Sequence, residues 1–196
     1  MFEIKMNELS LDKLHRIAIK LPINRNHILY KDSYNALIQF TRESISKIDE
    51  TTLIALAHMA YGWMPTMLKK TEIRKDYLEI LRRINAGENT IDLYRKLSSI
   101  TNNSIVGASK LLHFINPEKY GIFDSRVYKS ITRCKTTDAN NGKKYVIYIS
   151  KVRELIEQNE HHQLKEIKNE LIKKNYLEKE HTPFRTIEVC LYAGSK

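Results

Sequence analysis

A helical period of apolar residues recurs along nearly the whole chain, interrupted at short intervals by capping and turn residues. Leu11, Leu14, Ala18 and Leu21 fall on one helix face, with Ser10 placed to cap the start and Pro22 to stop it. The stretches SYNALIQFTRESISKI (33–48) and ETTLIALAHMAY (50–61) continue the pattern until Gly62 and Pro65 break it. Tyr77, Leu81 and Ile84 line a further helix, which Gly87 ends. TIDLYRKLSSI, VGASKLLHFI and SRVYKSITR follow as three more, and TTDANNGKK (136–144) is the clearest loop. KYVIYI (144–149) has the β-branched and aromatic composition of a strand. The residues after it, SKVRELIEQ, run on at helical period, so a helix is predicted across both. Leu164, Ile167 and Leu171 mark another helix, and PFRTIEVCLYAG the last. The predicted class is mostly α: a helical bundle over residues 1–196, built as one domain or as two small lobes with a cleft. No internal repeat or low-complexity linker interrupts it.

Composition narrows the function classes. Hydrophobic residues make up 42% of the 196, enough for a core. No stretch approaches the roughly 20 apolar residues of a membrane helix, and MFEIKMNELSLDKLHR lacks the apolar centre of a signal peptide. Cys134 and Cys190 are far apart, and His161-His162 has no partner at ligand spacing, so no metal site is expected. The expected compartment is the reducing cytoplasm. Thirty-three Lys and Arg against 23 Asp and Glu leave a net charge of +10 and a pI near 9.5. That balance points to a polyanionic partner, nucleic acid first.

One acidic residue stands at a junction. In YGIFDSRVYKSI (120–131), Asp124 follows two large apolar residues and precedes a helix. It is placed either to cap that helix or to do chemistry there. Upstream, the predicted helix 91–100 and the helix from 105 are joined by TNNS (101–104), with Val106-Gly107 at the entry to the second. Backbone N–H groups of Ser104, Ile105, Val106 and Gly107 at such a helix start bind phosphate. Lys96 and Lys110 are close enough in sequence to add charge.

The segments SIVGASKLLHF and YGIFDSRVYKSI together resemble the core of the helix-hairpin-helix DNA glycosylases, which include endonuclease III, the adenine glycosylase and the 8-oxoguanine glycosylases. YGWMPTML, GASKLLHFINPEKYGIFDSRV and the closing FRTIEV are similar to small bacterial proteins with an 8-oxoguanine-glycosylase-type fold. The motif match covers residues 90–132. Val106-Gly107 corresponds to the end of the family's hairpin, with Ile105 where its first Gly stands and no Pro before it. The resemblance implies a double-stranded DNA partner and hydrolysis of the N-glycosidic bond of a flipped base, leaving an abasic site. That base is 8-oxoguanine or a hypermodified phage cytosine removed in antiviral defence. The alternative is a non-catalytic DNA- or RNA-binding helical module.

The resemblance also implies roles for single residues. Asp124 would stabilise the oxocarbenium-like sugar and orient water, kept charged by its helix N-terminus and by Arg126. Bifunctional members carry a Lys nucleophile two residues after the last hairpin Gly. Here that position is Ser109, as in the adenine glycosylase. Lys110 is one residue further, a turn of ~100°, which leaves it as a phosphate contact or an alternative nucleophile and predicts a monofunctional enzyme. Trp63 either covers the core or forms a base pocket or wedge. His113 and Phe114 are packing candidates, and Arg185 and Glu188 are spaced to pair. No cofactor is expected, since two Cys cannot supply the four-Cys cluster of endonuclease III.

Overall fold

The computed structural model describes residues 2–25, 28–44, 49–63, 67–69, 76–133, 136–158 and 162–195. Pro65, Cys134, His161 and the end of the helix predicted through residue 48 lie outside the described residues. Among the described residues there is no strand. The chain runs α1 (Phe2–Asn7), α2 (Leu11–Lys20), α3 (Ile28–Ser44), α4 (Glu50–Gly62), α5 (Tyr77–Asn85) and α6 (Ile91–Ser99). It continues with α7 (Ile105–Ile115), α8 (Ser125–Thr132), α9 (Gly142–Glu157), α10 (Gln163–Lys173) and α11 (Pro183–Ala193).

Local chemistry sets most of the boundaries. The Ser10 side chain accepts the Lys13 N–H at 3.2 Å and starts α2. Gly87, with φ +73°, ends α5. Its N–H reaches the Ile84 carbonyl while the Glu88 N–H reaches that of Arg83, the paired bonds of a left-handed helix stop. The β-rich composition of 144–149 is overridden by period: Tyr145, Tyr148, Ile149 and Val152 form the buried stripe of α9. The loop expected over 136–144 is shorter than its composition suggests. Thr136–Ala139 is a 3-10 turn, and Asn141 serves as an N-cap, accepting the Lys144 N–H at 3.2 Å.

Two helices lie at the centre. In α7 every residue but Val106 is buried, as an all-round apolar helix must be; α6, α4 and α3 pack around it. In α11 the buried run is Phe184–Leu191, covered by α8, α10, α2 and α9. The buried apolar residues of both surroundings form one continuous cluster.

The α6–α7 turn is built on asparagine. Asn102 and Asn103 both sit at φ 54°, a left-handed conformation that Asn tolerates better than most residues. The Asn102 side chain then bonds outward, donating to the Met67 carbonyl at 3.0 Å and accepting the Lys69 N–H at 2.9 Å. Tyr61 of α4 donates its hydroxyl to the Thr101 carbonyl at 2.6 Å and lies flat on Gly107. A Cβ at Gly107 would come within 2.6 Å of the Tyr61 oxygen and 2.9 Å of its ring.

Gly107 is therefore required by helix packing. Gly107→Ala should destabilise the fold by about 1–3 kcal/mol through overpacking. Pairing it with Tyr61→Ala should recover part of that loss relative to Tyr61→Ala alone, as read by urea unfolding. Additive effects would show that Tyr61 is not the obstacle.

Candidate active site

Asp124 ends a loop, residues 116–124, that is buried although it has no regular structure: Pro117 and Tyr120 through Phe123 are all covered. Buried backbone of this kind needs partners, and four side chains supply them. Ser109 accepts the Phe123 N–H at 3.0 Å while donating to the Val106 carbonyl at 2.8 Å. His113 Nδ1 lies 2.7 Å from the Tyr120 carbonyl. Tyr145 donates to the Gly121 carbonyl at 3.0 Å. Thr182 donates to the Pro117 carbonyl at 3.0 Å and accepts the Arg185 N–H at 3.1 Å, capping α11 with the same oxygen.

The end of the loop is held just as firmly. Asp124 is the N-cap of α8, and its Oδ1 accepts both the Arg126 and the Val127 N–H at 2.9 Å. Its Oδ2 has no partner among the described residues. One carboxylate oxygen thus does the capping and the other is left open. Arg126 turns away, donating to the Tyr192 hydroxyl at 2.8 Å and stacking on that ring at 4.8 Å.

Lys110 is 8% exposed, and its ammonium lies 5.3 Å from the centre of the Trp63 ring. Burial lowers its pKa, the Asp124 and Glu188 carboxylates oppose that, and Arg185 adds to it. It makes no direct ion pair among the described residues. Ser109, by contrast, is fully buried with its hydroxyl committed to backbone. Of the two candidates after Gly107, Lys110 is therefore the one whose polar group is not committed to a hydrogen bond among the described residues.

Next to Lys110, Arg185 and Glu188 form a buried ion pair. Arg185 lies 4.2 Å from the Tyr34 ring centre and 5.7 Å from that of Trp63. Burial pushes the Glu188 carboxyl up to about 7 against the pull of Arg185, with Asp124 adding to the rise. The Tyr148 hydroxyl, fully buried, and Arg185 Nε have no hydrogen-bond partner among the described residues. Trp63 is packed edge-on to Phe114 at 5.5 Å and against the core, and is not a projecting wedge.

The structure separates other residues that the sequence grouped together. Lys96 is ion-paired, 3.2 Å from Asp76 and 4.0 Å from Asp92. At the hairpin, Asn140 accepts the Ile105 N–H at 2.6 Å and Ser104 that of Gly107 at 3.0 Å. Only the Val106 N–H lacks a partner among the described residues. Arg185 and Glu188 were legible as a pair. Tyr34 and Tyr148 carried no sequence signal, and neither did the burial of Lys110. Among the described residues no group of three or more His, Cys, Asp and Glu side chains converges as a metal site would require. No helix there is long and apolar enough to cross a membrane.

Comparison with known proteins finds no matching family model, no similar curated protein and no similar solved structure.

His113 offers a direct check on the interior of the site. Its Nδ1 must carry the proton to bond the Tyr120 carbonyl, and Nε2 accepts from Tyr34 at 2.7 Å. Burial holds the ring neutral, its pKa lowered from 6.5 to about 3. The unfolded chain therefore takes up the proton first as pH falls. The contribution of His113 is complete above about pH 6.5 and is lost toward pH 3. In urea unfolding, wild type should lose about 1.4 kcal/mol per pH unit relative to His113→Gln below pH 6. Taking the difference removes Glu188, whose raised pKa acts in the opposite sense. Equal slopes would show that the imidazole is not held neutral.

Proposed function

We propose that this chain is a DNA glycosylase acting on a flipped, modified base in double-stranded DNA. The observation that carries this reading is a rigid carboxylate, Asp124, close enough to act electrostatically on a buried amine, Lys110, on the helix after the hairpin. Asp124 has one oxygen locked by the α8 N–H groups and one open. An anion fixed beside C1′ stabilises the cation that develops there without reorganising during the reaction.

The amine supports a covalent route. A nucleophilic Lys must be neutral, and burial in a site of mixed charge lowers its pKa. Its nitrogen attacks C1′, the C1′–N bond breaks, and the base leaves with the bonding pair and takes up the proton that the amine releases through Asp124. The amine gives up its proton to the open Asp124 oxygen, and ring opening yields an iminium that water hydrolyses or that eliminates the 3′ phosphate. Trp63, half-buried beside the amine, offers an aromatic ring to a planar base. Arg185, Glu188 and the Tyr148 hydroxyl supply donors and acceptors for its edge. Both 8-oxoguanine and a hypermodified cytosine present such edges.

Asp124→Asn should lower base excision by about 100-fold or more while leaving thermal stability nearly unchanged, because Asn still accepts the Arg126 and Val127 N–H groups. The measurement is a panel of duplexes with modified bases, treated with alkali to reveal abasic sites. Full turnover in the Asn variant would sink the assignment. Borohydride should trap a covalent complex that Lys110→Ala abolishes. Excision without trapping would return the mechanism to an Asp124-activated water, the route that the Ser109 register predicts.

A further inference from the structure

The hairpin that should hold DNA has spent most of its binding groups internally: the Ser104, Ile105 and Gly107 N–H groups bond within the protein, and Lys96 is paired with carboxylates. A +10 chain that grips a polyanion must present its charge elsewhere. Part of the described charge is matched within the protein. Lys5, Arg83, Lys144, Lys151 and Lys174 each lie within 4 Å of a carboxylate.

One region differs. A cleft of about 550 Å³ between α2, the end of α8 and the end of α11 is lined by Lys13, Arg16, Lys20, Lys129 and Arg133, with no acidic residue. None of these five side chains makes an ion pair or hydrogen bond among the described residues. Five like charges around one concavity repel one another, and the local field attracts and focuses anions. The cleft is also built at close range. A Cβ at Gly194 would fall 2.6 Å from an Ile17 methyl, so α11 meets α2 only because that position has no side chain.

We propose that this cleft is the binding track for the phosphate backbone of DNA, an assignment that rests on the reading of the chain as a DNA-acting protein. Lys13, Arg16 and Lys20 form a stripe at i, i+3 and i+7, about 10 Å long. That length covers about three phosphates of one strand at ~3.4 Å of axial rise each. Lys129 and Arg133, one helical turn apart, face it from α8, whose other end carries Asp124. Arg126 and Tyr192 lie between the track and the catalytic carboxylate. A membrane surface fits less well, because the charge lines a concavity and the exposed Ile19 and Ile23 lie outside its lining.

The test uses the full chain and a fluorescein-labelled 20-base-pair duplex without modified bases, with affinity read by anisotropy from 50 to 200 mM salt. Arg16→Glu/Lys20→Glu/Lys129→Glu is compared with Lys119→Glu/Lys165→Glu/Lys179→Glu, which changes the net charge equally outside the cleft. Circular dichroism checks the fold of each. The cleft variant should bind about tenfold or more weakly and flatten the slope of log K against log salt by about 2–3. The control should keep the wild-type slope. The milder Arg16→Gln and Lys129→Gln should each flatten it by about one, which covers the case where charge reversal unfolds the protein. Equal weakening by both triple variants, or wild-type binding by the cleft variant, would overturn the proposal. So would loss of binding to phosphatidylserine vesicles with duplex affinity intact. Because the probe contains no excisable base, a chain that binds it through the cleft yet excises nothing would retire the enzymatic reading alone.

Discussion

A stretch of buried irregular backbone, residues 116–124, makes the heaviest demand on this fold. Helices satisfy their own N–H and C=O groups, whereas a buried loop must borrow partners from its neighbours. Here the donors and acceptors come from α7 (Ser109, His113), α9 (Tyr145) and the start of α11 (Thr182). Each of those side chains is itself buried, so each helix has to sit where its polar group can reach. The arrangement of helices around Asp124 follows from keeping that loop satisfied. Three of the four hydroxyl and imidazole groups also serve a second bond, which ties the loop to α3 through Tyr34 and to the N-terminal turns of α7 and α11.

Helix positions were legible in the sequence because the apolar period reports directly on a buried face. The β-branched run at 144–149 shows the rule at its most useful: composition favoured a strand, period favoured a helix, and Tyr145, Tyr148 and Ile149 are the buried stripe of α9. Cap chemistry was less certain, since Asn-Asn-Gly serves both turns and helix starts, and Asn141 took the second role. The conversion of Lys110 from a surface charge to a buried amine was not legible. That depends on α11 and on Trp63, which are distant in sequence and whose Arg185, Glu188 and indole ring come near it only in the folded chain.

Capping by Asp124 leaves room for the proposed reactive role at the level of single atoms. A carboxylate has two oxygens, and α8 uses one. Similarly, Gly107 has the position expected of a residue that lets a phosphate approach, yet its missing side chain is filled by Tyr61. A sequence signature that could serve chemistry serves packing at Gly107, and only the neighbouring side chain reveals it.

The last helix links two places described separately above. Arg185 and Glu188 sit in its first half, against the amine, and Gly194 closes it at the wall of the basic cleft. From Glu188 to Gly194 a helix rises about 9 Å, and the span is inextensible because every turn of α11 is buried. The helix acts as a spacer of set length. On the proposed reading, a free base or a single nucleoside would be too short to occupy both ends at once, whereas a strand of several nucleotides would span them.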